Sequence, residues 1–292
     1  MTSSTISLTH ESDSRNGVKQ LLRMFRRNPL VVIGIVIVVV WIAGGILAPQ
    51  FAPFDPLKQN IADRIRPPGD IYLFGTDELG RDMLSRVLYG ARITLPAGVL
   101  VIVIGSVIGV IVGATAGYVG GLWDELLMRV TELFMAFPTI ILALAITAAL
   151  GPDIRNAILA LVVVWWPSYA RLVRGLVLEV KGKEYVEGAR SVGATDFYIL
   201  MRTVLPNCVS PAIVLATLDI GNAILTFAGL SFLGLGPDPS SPEWGRMVSI
   251  GIDFFDQWWM WLYPGLAIAI LVMAFNFIGD GLRDIFDPRL RK

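Results

Sequence analysis

The sequence predicts an all-α membrane protein of six transmembrane helices, with both termini on the cytoplasmic side. Three observations carry this expectation. Hydrophobic residues make up 54% of the 292 and charged residues only 16%, a balance foreign to soluble domains. The apolar residues gather into runs at about 29–48, 93–117, 133–150, 154–177, 209–230 and 262–278, most of them long enough to cross a ~30 Å hydrocarbon core. The breaks between runs hold most of the charge, and they hold it unevenly. Of the 24 Lys and Arg, 16 fall in segments on the side of the N-terminus and 8 on the opposite side, the bias expected of an N-in, C-in chain.

Residues 1–16 are rich in Ser and Thr without apolar period and read as a disordered cytoplasmic tail. Residues 17–28 carry Val18, Leu21, Leu22 and Phe25 at helical spacing among Lys19, Arg23, Arg26 and Arg27. That is a basic amphipathic helix suited to anionic membrane lipid. The transmembrane domain then occupies 29–292. Its first polar loop, 49–92, is punctuated by prolines, and its six basic residues are matched by six acids. Thr76 or Asp77 is placed to cap a short interfacial helix from about Glu78 to Tyr89.

In the second span Gly105, Gly109, Gly113 and Gly117 recur every fourth residue. On a helix they form a groove without side chains, which lets a second helix approach closely. Asp124 to Glu132 reads as a short connection into the third span, with a bend at Pro138. The fifth span carries Asp219 near its centre, with Asn222 close by. An acid in mid-span costs roughly 2.5–3.5 kcal/mol and so faces protein or water. Two readings follow: a group lining a solute pathway, or a hydrogen bond to a neighbouring helix. In the loop after this span, Glu243, Trp244 and Arg246 follow a Pro/Gly-rich run and are candidates for specific contacts outside the membrane, which the resemblance given below assigns to an extracytoplasmic binding protein.

Lys183 to Asn207, between the fourth and fifth spans, stands apart. Val186, Ala189, Gly193, Phe197 and Leu200 lie at helical spacing, with Glu184, Glu187 and Arg190 elsewhere on the surface. Gly193 interrupts the helix at a cost of roughly 1 kcal/mol relative to Ala. Pro206 is expected to end its second half. The charge bias places the stretch in the cytoplasm.

Several chemistries are excluded. The only histidine is His10 and the only cysteine Cys208, which leaves no zinc site, disulfide or nucleophile–histidine couple. No GxxxxGK[ST] run is present, so the chain has no P-loop of its own. Zero net charge gives no case for nucleic acid. A secondary transporter would need coupling acids and internal symmetry, and neither is found beyond Asp219. Gly279-Asp280-Gly281 superficially matches an aspartyl protease element but has no partner acid within a span.

From Glu187 the chain reads E-G-A-x3-G-x9-T-x-L-P. This resembles the EAA loop of ABC importer permeases, E-A-A-x3-G-x9-I-x-L-P. Glu187, Ala189, Gly193, Leu205 and Pro206 match, while Gly188 and Thr203 depart from it. FGTDELGRDMLSRVLYGARITL (74–95), AGLSFLGLGPDPSSPEWGRM (228–247) and FNFIGDGLRDIFDPRLR (275–291) narrow the resemblance to the C-type permease subunit of dipeptide and oligopeptide importers. The resemblance implies a non-catalytic subunit that lines the pathway. Its partners would be a second homologous permease, two cytoplasmic ATPase subunits that bind ATP and Mg, and an extracytoplasmic solute-binding protein. It also implies that the stretch around Glu184, Glu187, Ala189, Arg190, Gly193, Ala194, Leu205 and Pro206 docks on an ATPase subunit as a coupling helix. Related systems carry peptides, glutathione, nickel complexes or other small solutes, so the substrate stays open.

Overall fold

The computed structural model describes residues 28–286. The expected tail at 1–16 and nearly all of the amphipathic stretch at 17–28 lie outside them. Within the described residues the chain is helical, with no β-strand beyond an isolated bridge between Thr76 and Asp82. Five helices are long and apolar enough to cross a membrane, and a helix pair bent by 87° brings the count to six where the pair is taken as one span.

Helix α1 (Pro29–Ile46) opens with proline in its first turn, where the missing N–H has no intrahelical partner to lose. Its exposed residues are almost all aliphatic. The loop that follows leads into α2 (Met83–Val119), and here the expected interfacial helix is corrected. Helix α2 starts at Met83 because the Asp82 carboxylate accepts the Ser85 amide at 2.8 Å. Thr76 and Asp77 are buried in the loop instead. Helix α2 then continues without a break through Pro96 for 37 residues, about 55 Å at 1.5 Å per residue.

The third span also departs from expectation. Residues expected to be a connection form α3 (Gly121–Met135), and only α4 (Thr139–Leu150) follows it. The two are bent 87° apart. Pro138 lacks a donor and keeps the residue before it out of the helical region, so the chain turns there. With 12 residues, α4 reaches about 18 Å and does not by itself match the hydrocarbon thickness.

Helix α5 (Ile154–Lys181) is capped by Asp153, which accepts the Arg155 amide at 2.7 Å. The four-residue glycine repeat of α2 lies against it. A Cβ at Gly109 would stand 2.9 Å from the Ala170 amide nitrogen, and one at Gly113 3.0 Å from that of Arg174. Only glycine lets these two backbones approach so closely. Gly121 falls outside this seam, with open space where its Cβ would be. At the end of the seam Arg174 grips Asp124 with two hydrogen bonds of 2.5 and 2.7 Å, which ties α3 to α5.

The remaining helices of eight or more residues are α6 (Glu184–Ser191), α7 (Leu205–Phe232), α8 (Trp244–Asp253) and α9 (Trp258–Phe286). Helix α9 packs between α7 and α1. The expectation that Pro206 ends a helix is corrected. The backbone is helical from Asp196 through a π-helical segment, Ile199–Val204, into α7, a single unit of 37 residues. The wide π turn sits directly before the residue that cannot donate, so the ladder is re-registered rather than broken.

Candidate functional site

At the α6 end of the bundle, helix α6 is short and built around one anchor. Val186 is buried against Val173 and Val177 of α5 and Val204. The helix stops after Ser191. The Gly193 amide donates to the Arg190 carbonyl at 3.0 Å, and the Ala194 amide to the Ala189 carbonyl at 3.2 Å. Gly193 has φ +84°, the left-handed region that terminates helices and favours glycine. No atom stands within 4 Å of its ideal Cβ, so backbone conformation, not space, requires glycine. Thr195 then caps the next turn by accepting the Tyr198 amide at 3.3 Å.

The single apolar face expected over this stretch divides in two. Val186, Ala189, Ala194, Leu200 and Leu205 turn inward with Ile199 and Val204. Tyr185, Val192, Phe197, Tyr198 and Met201 turn outward, with Val192 84% and Phe197 74% exposed. Glu184, Glu187 and Arg190 are exposed around them, as is Pro206. Arg190 faces Asp196 across 3.9 Å. The platform is also tied to α2. The Tyr118 hydroxyl donates to Asp196 at 2.8 Å, and Lys181 Nζ donates to the Tyr118 carbonyl at 2.6 Å. Tyr118, Asp124 and Arg174 escaped the sequence reading because their partners lie 50 or more positions away.

Midway along α7, Asp219 is half-buried and accepts a 2.9 Å hydrogen bond from the hydroxyl of Tyr169 on α5. Asn222, one turn further on, is exposed, and Thr226 follows on the same face, partly exposed. Trp165, one turn from Tyr169 on α5, flanks the same carboxylate as Asn222.

At the opposite end of the bundle, two of the three candidate contact residues are corrected. Glu243 and Trp244 are fully buried and present no surface to a docking protein. Glu243 caps α8, its carboxylate accepting the amides of Gly245 and Arg246 at 2.9 and 2.8 Å and the Thr94 hydroxyl at 3.1 Å. Burial pushes this carboxyl above the ordinary glutamate range. The Trp244 indole donates to the Val87 carbonyl at 2.9 Å and packs edge-on against Trp41. Arg246 remains partly accessible.

The sequence also gave no sign that charges in the first loop are internal. Arg86 is buried, donating to the carbonyls of Pro56 at 3.1 Å and of Ser240 and Ser241 at 3.2 Å. Buried Arg81 pairs with Asp77 at 2.6 Å and Glu78 at 2.9 Å. One guanidinium thereby joins two loops separated by more than 150 positions.

Residues 105–292 match the family of binding-protein-dependent transport system inner membrane components, and residues 18–68 match the N-terminal transmembrane domain of oligopeptide transport permease C. The chain belongs to the first of these families. This makes it an inner-membrane permease of the ABC importer class, with several membrane-crossing helices. It is 41% identical over 275 residues to a probable D,D-dipeptide transport system permease of Escherichia coli, covering 94% of the permease and 92% of that protein. It is 40% identical over 275 residues to a dipeptide transport system permease of Haemophilus influenzae, covering 92% and 93%. A glutathione transport system permease of Escherichia coli is 44% identical over 271 residues, covering 92% and 89%. The permease shares its fold with the inward-facing MetNI methionine ABC transporter, at TM-score 0.57 and 23% identity over 70% of this chain and 98% of that one.

Proposed function

We propose that this permease forms, with a second homologous permease, the pathway for short peptides, and that two cytoplasmic ATPase subunits drive it. The three relatives named above are described for dipeptides, D,D-dipeptides and glutathione, all small peptides with free amino and carboxylate groups. ATP and Mg belong to the ATPase subunits, and an extracytoplasmic binding protein delivers the peptide. The N-in, C-in orientation places α6 in the cytoplasm and the buried charge cluster on the outer side, facing that binding protein.

The observation that carries this reading is the apolar surface at α6. Val192 at the end of α6 projects into solvent beside Phe197 and Tyr198, and the latter two lie on a segment continuous with membrane helix α7. Such a surface, rimmed by Glu184, Glu187 and Arg190, suits insertion into a groove on a partner. Displacement there moves α7 directly, and moves α2 through the Tyr118–Asp196 bond.

The test reconstitutes the permease pair with its ATPase subunits and binding protein in proteoliposomes. Gly193→Val forces a β-branched residue into the left-handed region, at a cost of about 1–2 kcal/mol, without a steric clash. It is expected to leave the complex assembled while lowering peptide uptake about tenfold or more. Gly193→Asn, which tolerates that region, retains most of the uptake. Normal uptake by the valine variant removes the left-handed turn from the coupling mechanism. Uptake that persists without any ATPase subunit overturns the importer reading.

A further inference from the structure

The Asp219 site is not explained by coupling. Its carboxylate lies at the centre of a membrane helix, with one oxygen engaged by Tyr169 at 2.9 Å. The local protein environment does not enclose it, since Asp219 is half-buried and Asn222 is exposed. Asp219, Asn222 and Thr226 follow i, i+3, i+7 spacing, so a polar strip runs along one side of α7. Hydrocarbon offers such groups no hydrogen-bonding partners. That side of α7 is therefore turned toward water or protein, as intramembrane ionisable groups are.

The groups assembled there suit one kind of ligand. A carboxylate attracts a cation and repels an anion. Trp165, partly exposed one helical turn from Tyr169 on α5, adds an aromatic ring whose face attracts ammonium groups, while Tyr169 is fully buried and only holds the carboxylate in place. The geometry points to Asp219, positioned by Tyr169 and flanked by Trp165 and Asn222, as the site that receives the α-ammonium group of a peptide in transit. This rests on the peptide-importer reading above and specifies which end of the substrate the pathway recognises. Among the described residues Tyr169 is the one other titratable group bearing on this carboxylate.

The test measures ATP-dependent uptake of dialanine by the complete complex in proteoliposomes, with wild-type and Asp219→Asn permease side by side. The ratio of the two rates cancels contributions of the binding protein and the ATPase subunits. At pH 7 the peptide amine is charged and the ratio is expected to be about ten. As the amine loses its proton, near pH 8, the ratio falls toward one. Asp219→Glu keeps most of the wild-type rate, and Tyr169→Phe gives an intermediate loss with the same pH trend. A ratio of one at every pH, or a large ratio that does not change with pH, overturns the assignment and leaves Asp219 a helix-to-helix hydrogen bond. Wild-type permease that drives no dialanine uptake overturns the peptide-importer reading itself, and this assignment with it.

Discussion

The two ends of the helical bundle treat polar and apolar groups in opposite ways. At the loop end, Asp77, Arg81, Asp82, Arg86 and Glu243 are buried and joined to one another or to backbone. At the α6 end, Tyr185, Val192, Phe197, Tyr198 and Met201 are exposed while acids and bases surround them. Burying charge is costly unless partners are complete, and exposing large apolar groups forgoes hydrophobic stabilisation. Most of the loop end's buried charges have partners within the chain, with Glu78 Oε2, Asp82 Oδ1 and Arg246 Nε left without one, so it is largely braced from within. The α6 end lacks them, which is why its outward side chains are proposed above to be covered by another protein. A binding protein would meet a rigid cap at one end, while the ATPase would complete an open surface at the other.

The most severe way to break this contrast is at Arg86. Arg86→Met leaves three backbone carbonyls without their donor and removes one of the two guanidinium groups around Asp77. Removing one partner of a buried ionic network costs about 3–5 kcal/mol. Thermal unfolding of the purified permease should show that loss, and proteolysis should open the two loops together. A neutral outcome would mean that the loop end is not braced through this guanidinium.

A smaller effect is expected at Glu78, where burial first and the Asp77 charge second hold the carboxyl above its ordinary value. Because its folded pKa lies above the unfolded one, the native state binds the proton more tightly. Stability from this group is therefore greatest at low pH and falls as pH rises through the folded pKa. Glu78→Gln should flatten that decline, so the variant gains relative to wild type as pH rises above the ordinary glutamate pKa of about 4.3. Unfolding midpoints across that range check the sign, and a steeper decline in the variant would contradict it.

The smallest stability effect belongs to the α6 end. Phe197→Ser alters a side chain that is 74% exposed and should change stability by no more than about 0.5 kcal/mol. Binding of the ATPase subunits, measured by co-purification, should nevertheless weaken several-fold. Unchanged association would mean that the exposed apolar surface does not serve the partner, and the contrast between the ends would lose its functional content.

Both ends lay in the sequence to different degrees. The E-x-A-x3-G spacing and apolar period of 183–207 marked the α6 region, because a helix and a glycine turn are local events. Which apolar residues turn outward was not legible: Val186 and Phe197 share a spacing pattern, and only packing against Val177 and Val204 separates them. At the loop end, six bases matched by six acids registered only as a charge balance, with nothing to say which of them are buried. Arg86 meets Ser240 only after the chain has crossed the bundle several times, so no local pattern records the contact. Glu243 and Trp244 were misjudged for the same reason, since proline and glycine neighbours signal a loop but say nothing of what covers it.

By itself, the sequence determined the membrane class, the apolar runs, the glycine groove and the helix break at Gly193. Each depends on composition or on residues within a turn or two of one another. Only the tertiary structure decided that α2 runs unbroken from Met83, that Pro138 divides a span and that a π segment carries the helix past Pro206. It alone set Tyr169 against Asp219. These features depend on which backbone groups find partners across the bundle, and in a membrane that requirement overrides local propensity.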